Sequence, residues 1–239
     1  MKNFLLWIKQ YLILCREIYF PVLTNPSIYK VPLLRDFCFT AFVMHRYFII
    51  YKPYLVLSQF SPEGDQRTLR DILSVPKDVY PVGRLDHDSE GLLILSNDAA
   101  LNQKLLHPKQ HQEKEYWVQV DGAITDDAII QLQKGVQIQV NGKQHRTLPA
   151  MVKKFTVDPV LPERHPPIRF RKSIPAPWIS ITIREGKNRQ VRRMTAAVGF
   201  PTLRLVRYRI GSLTIEGMQP GDCIEMEQKA LYHSLFGQS

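Results

Sequence analysis

The chain has 239 residues, enough for one large domain or two small ones with a substantial core. Lys and Arg number 32 against 22 Asp and Glu, a formal net charge of +10, which points to a polyanionic partner rather than an acidic or neutral one. The three cysteines, Cys15, Cys38 and Cys223, are widely spaced without a C-x-x-C pair, and the seven histidines form no H-E-x-x-H pattern. These spacings argue against a disulfide framework and a metal site, and they fit a reducing, cytoplasmic setting.

Residues 1–43 form an N-terminal extension of uneven character. "FLLWIKQYLILC" is apolar but broken by Lys9 and Gln10, short for a membrane span and without a clear cleavage site for a leader. An over-called start ahead of Met44, a peripheral helix and a membrane anchor all remain readings of this segment, the first being favoured.

Regular patterns begin at Arg46. "YFIIYKPYLVLSQF" reads as strand, turn at Lys52-Pro53, and strand; "SPEGDQ" is a loop, and "TLRDIL" a short helix capped by Thr68. "LLILS" (92–96) is too apolar to alternate and predicts a strand buried on both faces. Asn97-Asp98 caps the helix "AALNQKLL". "KEYWVQVDG" alternates, with Tyr116, Val118 and Val120 on one face. Thr125 caps a helix that Gly135 closes, and "VQIQV" runs into the Asn141-Gly142 hairpin turn.

The segment 158–177, rich in Pro and Arg, predicts a long surface loop, a class that is usually functional. "WISITI" is a strand, and "KNRQVRRMTAAV" a helix with Val191, Met194, Thr195 and Val198 on its core stripe, stopped by Gly199 and Pro201. "LRLVRYRI" and "CIEM" are further strands, and residues 231–239 read as a C-terminal tail. Many strands in mixed order with few helices predict an α+β domain over 44–230 with a largely antiparallel sheet.

Two features carry chemistry. Between Arg184 and Arg209 lie eight cations and one acid, Glu185. The plain reading is a solvated charged face; the scarcity of counter-charge favours a phosphate-binding surface, with Arg169, Arg171 and Lys172 adding to it. Arg189 and Arg193, four apart on a helix, suit phosphate contacts. Arg192, at the edge of the core stripe, can turn inward to a buried carboxylate. The second feature is Asp86 in "VGRLDHDSEGLLILSNDAA". Beside an apolar strand it needs a partner, for which Arg84 and Arg192 are candidates. It is either half of a structural ion pair or a nucleophile held ionised by arginine. Tyr116 is either a core aromatic or a platform on which a base stacks.

Taken together, "GRLDHDSEGLLILSND", "KEYWVQVDG" and "EGKNRQVRRMTAAVGFPTLRLVR" resemble the three sequence blocks of the RsuA-like pseudouridine synthases, in the family's order. "PPIRFRKSIP" further resembles the E-type, large-subunit branch of that family, and the separate S4-like RNA-binding domain is absent, as in that branch. The resemblance implies a pseudouridine synthase fold: a mixed, mostly antiparallel sheet with flanking helices and a central catalytic cleft. It implies an isomerase that turns uridine into pseudouridine in 23S rRNA, naked or in a precursor particle, without cofactor or metal, as a monomer with no stable protein partner and no membrane. It casts Asp86 as nucleophile, Tyr116 as the residue stacked on the base, and Arg192 as the partner of Asp86. It leaves Arg84, Lys114, Lys187, Asn188, Arg189, Gln190 and Arg193, with Arg169, Arg171 and Lys172, for RNA. A non-catalytic rRNA-binding or assembly factor on the same fold is the rival expectation. A membrane-associated basic protein is a third.

Overall fold

The computed structural model describes residues 44–107, 112–168 and 173–237. The N-terminal extension and the basic residues Arg169, Arg171 and Lys172 lie outside the described residues. The organising unit is a sheet of nine strands that includes two adjacent strands, β1 (Tyr47–Lys52) and β5 (Glu90–Ser96), in which every residue is buried. Such strands need cover on both faces, which explains their lack of polar alternation. In β1, Phe48 and Ile50 point to one core while Tyr47, Ile49 and Tyr51 point to the other; in β5, Leu93 and Leu95 oppose Leu92 and Ile94 in the same way.

Across the sheet the order is β13 (Cys223–Met226), β1, β5, β11 (Thr202–Ile210), β6 (Lys114–Val120), β10 (Trp178–Ile183) and β9 (Met151–Lys154). Two short strands add to it: β4 (Tyr80–Val82) on β5, and β12 (Leu213–Thr214) on β11. Within this sheet β5 and β11 run parallel and the other pairs antiparallel, as the mixed order of the sequence predicts. Helices α1 (Ala99–Leu106) and α4 (Gln228–Phe236) cover one face through Leu101, Leu105, Leu231 and Leu235. Helices α2 (Asp126–Lys134) and α3 (Gln190–Ala197) cover the other through Ile129, Leu132, Val191 and Met194. Outside the sheet, β7 (Gln137–Val140) and β8 (Lys143–Arg146) form a hairpin turned at Asn141-Gly142.

The caps act as the sequence predicts. The Asp98 carboxylate accepts from the Ala100 and Leu101 amides at 2.9 and 3.3 Å, and Thr125 Oγ1 from the Ala128 amide at 3.2 Å. The short helix expected after Thr68 is a 3-10 turn, Leu69–Asp71, and Thr68 and Asp71 form its capping box, the Asp71 carboxylate accepting from the Thr68 N–H and hydroxyl at 2.7 and 3.0 Å. Two local expectations are corrected. The second half of "YFIIYKPYLVLSQF" is a two-residue strand, β2 (Val56–Leu57), paired in parallel with β3 (Arg67–Thr68). Residues 231–236 are not a tail but most of α4. Tyr232 ties that helix to the cap of α1, since both Tyr47 and Tyr232 donate to Asp98 Oδ2, at 2.8 and 2.7 Å.

The parallel contact between β5 and β11 is unusually intimate. Gly91 has φ +106°, and a Cβ there would stand 2.3 Å from the Arg207 carbonyl oxygen, so only glycine lets the two backbones approach. One residue earlier, Glu90 accepts from Arg204 Nε and Nη2 at 2.9 and 2.8 Å, with both side chains almost wholly buried. Glu90→Ala should therefore cost about 3–5 kcal/mol, because it strands a buried guanidinium. Chemical denaturation would measure this, and the double change Glu90→Leu/Arg204→Met should recover a large part of the loss.

Candidate active site

Asp86 sits on the loop 83–89 between β4 and β5, and that loop is tied down at three points. Ser58 Oγ donates to the Leu85 carbonyl at 2.8 Å and accepts from the Leu85 amide at 3.0 Å. The Leu55 amide donates to the His87 carbonyl at 3.0 Å, and the Ser89 amide closes a turn onto the Asp86 carbonyl at 3.0 Å. Asp86 thus stands on rigid backbone at the wall of a cleft of about 620 Å³. Tyr116 and Lys114 come from β6, Ile183 from β10, Leu205 and Arg207 from β11, and residues 186–189 form the rim.

The rim is set by backbone geometry. Arg189 is the residue before α3 and adopts the left-handed region, φ +50° and ψ 32°, costly for a non-glycine residue and typical of sites where a side chain must be aimed. Its guanidinium forks onto Asp88 at 2.8 and 2.7 Å and stands 3.8 Å from Asp86 Oδ2. Gln190 shapes the turn behind it: its amide accepts from the Lys187 N–H at 2.9 Å and donates to Glu185 at 2.6 Å. This is why the helix begins at Gln190 rather than at Lys187.

Arg192 turns inward as the helical stripe predicts, but its partner is corrected. Its Nε lies 3.4 Å from Asp88 Oδ2, and its guanidinium also donates to the Asp88 and Thr202 carbonyls. Two carboxylates two residues apart in one turn are not separable by sequence; the fold gives Asp88 the arginines and leaves Asp86 with Arg189 as its only cation within 4 Å among the described residues. Burial pushes the Asp88 carboxyl upward, but the Arg189 hydrogen bonds and the Arg192 charge outweigh it and hold the group below the ordinary aspartate value.

The cleft gathers Asp86, Tyr116, Arg84, Lys114, Lys187, Asn188, Arg189 and Gln190. Gln190 is nearly buried and its amide is engaged as above, so it acts as a brace. Arg193 is not in this cleft: it donates to the Gln139 carbonyl and to Asn188 Oδ1, at 2.6 and 3.0 Å, and lines a separate groove.

The expected surplus of counter-ion-free arginines is also corrected. Arg204 pairs with Glu90, Arg184 with Glu113 at 2.8 Å and Arg209 with Glu115 at 2.8 Å. The acids come from β5 and from β6 and the residue before it, far away in sequence. Arg84 and Lys187 are exposed and have no acid within 4 Å among the described residues, which leaves them available to an anion.

Arg207, one of the eight cations of the arginine-rich stretch, is not on a surface but buried at the cleft, its Nε donating to the Leu92 carbonyl at 2.7 Å. One cation escaped the sequence reading. Lys52 is fully buried, with Nζ donating to the Pro53 and Val56 carbonyls at 2.8 and 2.6 Å. A lysine closing an otherwise apolar strand was the available signal. Burial pushes Lys52 down to about 7, against the pull of Glu90 and Asp88, and burial beside Arg207 pushes Lys114 down to about 8. No group of three or more His, Cys, Asp or Glu among the described residues is placed to hold a metal. No described helix is long and apolar enough to cross a membrane.

Lysines with folded pKa values below their unfolded one bind fewer protons in the native state. Stability should therefore rise with pH between about 7 and 10. Lys52→Met should flatten that rise, as measured by denaturant titrations across the window; an unchanged slope would show that Lys52 does not supply it.

Comparison with known proteins gives the family of the chain. The family model described as RNA pseudouridylate synthase matches residues 46–197. The ribosomal large subunit pseudouridine synthase E of Vibrio vulnificus is 52% identical over 178 residues, covering 74% of this chain and 74% of that protein. The protein of the same name from Xanthomonas axonopodis pv. citri is 49% identical over 174 residues, covering 72% of this chain and 89% of its own. A crystal structure of a pseudouridylate synthase superposes with a TM-score of 0.64 at 25% identity, covering 80% of this chain and 74% of that one. The matched span takes in the Asp86 loop, Tyr116 and the whole of α3, and the chain belongs to the RNA pseudouridylate synthase family.

Proposed function

We propose that this protein isomerises a uridine of large-subunit ribosomal RNA, 23S rRNA, to pseudouridine, with Asp86 as the nucleophile. The observation that carries the role of Asp86 is the division of labour between two carboxylates. Asp88 takes the Arg189 fork and Arg192. Asp86, in the same turn, lines the cleft, as Asp88 does not, and has Arg189 no nearer than 3.8 Å. A carboxylate with both oxygens held by a guanidinium fork has its charge neutralised and its geometry fixed by that pair; one that no guanidinium forks is left to face the substrate. The choice of ribosomal RNA as substrate rests on the relatives named above.

The chain's own groups fit the steps of the reaction. The target nucleotide must leave its stack, at a cost of a few kcal/mol that is least in a loop or irregular helix. Arg84, Lys187 and Arg189 at the rim supply positive charge for the flanking phosphates, and Tyr116 offers a ring for the extruded base to stack on. Attack of Asp86 at C1′, attack at C6 and a glycal route make one common demand, an ionised and sterically open carboxylate. The N1 glycosidic bond breaks, the base rotates while held, C5 bonds to C1′ and the C5 proton leaves. Tyr116 is a candidate for helping to remove that proton. Leu205, Ile183 and Leu57 line the cleft with apolar surface that keeps water from the detached base.

Pseudouridine mapping by carbodiimide labelling and reverse transcription, on unmodified 23S rRNA and on a precursor particle, tests the proposal. The wild-type protein should create one new stop and Asp86→Asn none. Absence of a stop with the wild-type protein on both substrates, despite tight binding, would favour a non-catalytic binding factor. Asp88→Asn should lower the single-turnover rate by about 10²-fold, because it frees Arg189 to fork onto Asp86 and misplaces the nucleophile. An undiminished rate would remove Asp88 from its positioning role.

A further inference from the structure

A second polar surface adjoins the cleft and has no part in the reaction described above. The β7–β8 hairpin stands against the C-terminal half of α3 and leaves two neighbouring grooves. One, of about 510 Å³, is lined by Gln137, Gln139, Asn141, Arg193 and Ala196, among others. The other, of about 300 Å³, is lined by Gln131, Lys134, Gly135 and Arg146, among others. They meet at Gln137 and Ala197, which line both. The hairpin register puts Gln137 opposite Arg146 and Gln139 opposite Gln144. Cross-strand partners share a face, so this outer face carries three glutamines and an arginine.

The chemistry of the surface is one-sided. Neither groove contains an Asp or Glu. Lys134 and Arg146 are exposed and have no acid within ion-pair distance among the described residues. This contrasts with Arg184, Arg204 and Arg209, which the fold neutralises. Ala196 and Ala197, both exposed, add small side chains to the lining. No aromatic side chain lines either groove, so bases have nothing to stack on; amides and cations suit phosphates and ribose hydroxyls instead.

The surface is also continuous with the active site. Arg193 donates to Asn188 Oδ1 at 3.0 Å. Asn188 lines the Asp86 cleft and Arg193 lines the first groove, so the two side chains form the junction. A hairpin with four residues per strand is about 13 Å long, enough to track a short run of nucleotides.

We infer that this hairpin–helix groove binds the sugar-phosphate backbone of substrate RNA flanking the target uridine, through Arg193, Lys134 and Arg146 with the Gln137 and Gln139 amides. The inference rests on the proposed function, since it needs an RNA substrate in the cleft. It extends recognition beyond the extruded nucleotide without reading base identity.

The test is the double variant Lys134→Gln/Arg146→Gln. A control of equal charge loss, Lys77→Gln/Lys229→Gln, changes exposed lysines that line neither the cleft nor the grooves. Binding of a 23S rRNA fragment containing the mapped site would be followed against salt, together with hydroxyl-radical footprints. The groove variant should bind at least 5-fold more weakly. The slope of log affinity against log salt should fall by about 1.4–1.8 for two lost phosphate contacts, and protection should be lost on one side of the target only. Unchanged affinity and footprint, or an equal loss in the control, would overturn the inference while leaving the Asp86 assignment intact. If the wild-type protein neither binds nor modifies any large-subunit RNA, the proposed function and this inference fall together.

Discussion

The buried pairing of Glu90 with Arg204 is the constraint on which the rest of the molecule depends. A carboxylate in the middle of a two-sided core is tolerable only if a cation is delivered to it in fixed geometry. Arg204 comes from β11, more than a hundred residues along the chain. The pair makes β11 lie parallel against β5, and Gly91 lets the two backbones meet at a distance no side chain would allow. Once that contact is made, β6 follows on the far side of β11 and brings Tyr116 and Lys114 to the cleft. The Asp86 turn ends at Ser89, immediately before Glu90. The backbone of Asp86 is therefore anchored close to this buried contact.

The site built on that anchor separates structural from reactive charge. Arg189 and Arg192 are spent on Asp88, Arg204 on Glu90, and Arg207 on a backbone carbonyl. What stays open is Asp86, with a ring facing the same space and exposed cations at the rim. The left-handed backbone at Arg189 belongs to this economy: the local strain aims one guanidinium so that its main bond is to Asp88 and its field reaches Asp86. The Gln190–Glu185 contact that shapes this turn also reaches the hairpin, because His145 Nε2 lies 3.0 Å from the same carboxylate. The cleft rim and the second groove are thus parts of one hydrogen-bonded assembly.

Much of this was legible in the residues. The uniformly apolar run 92–96 required a strand covered on both faces, and Asp98, Thr125 and the Asn141-Gly142 turn marked element ends that the fold keeps. The family blocks around Asp86, Tyr116 and Arg192 brought the right segments together. Thr68 and Asp71 likewise marked the start of the helical turn that the fold keeps. The arginine-rich stretch misled. Charge balance counted along the chain misses acids supplied by strands that become neighbours only in the sheet, as Glu113 and Glu115 do for Arg184 and Arg209.

The sequence by itself determined the α+β class and the family, because these depend on local periodicity and on motifs of fixed internal spacing. The tertiary structure alone decided which carboxylate each arginine serves, which lysines are driven toward neutrality by burial, and which cations remain for an anionic partner. Those outcomes depend on through-space distance and on dielectric, and neither is a property of position along a chain.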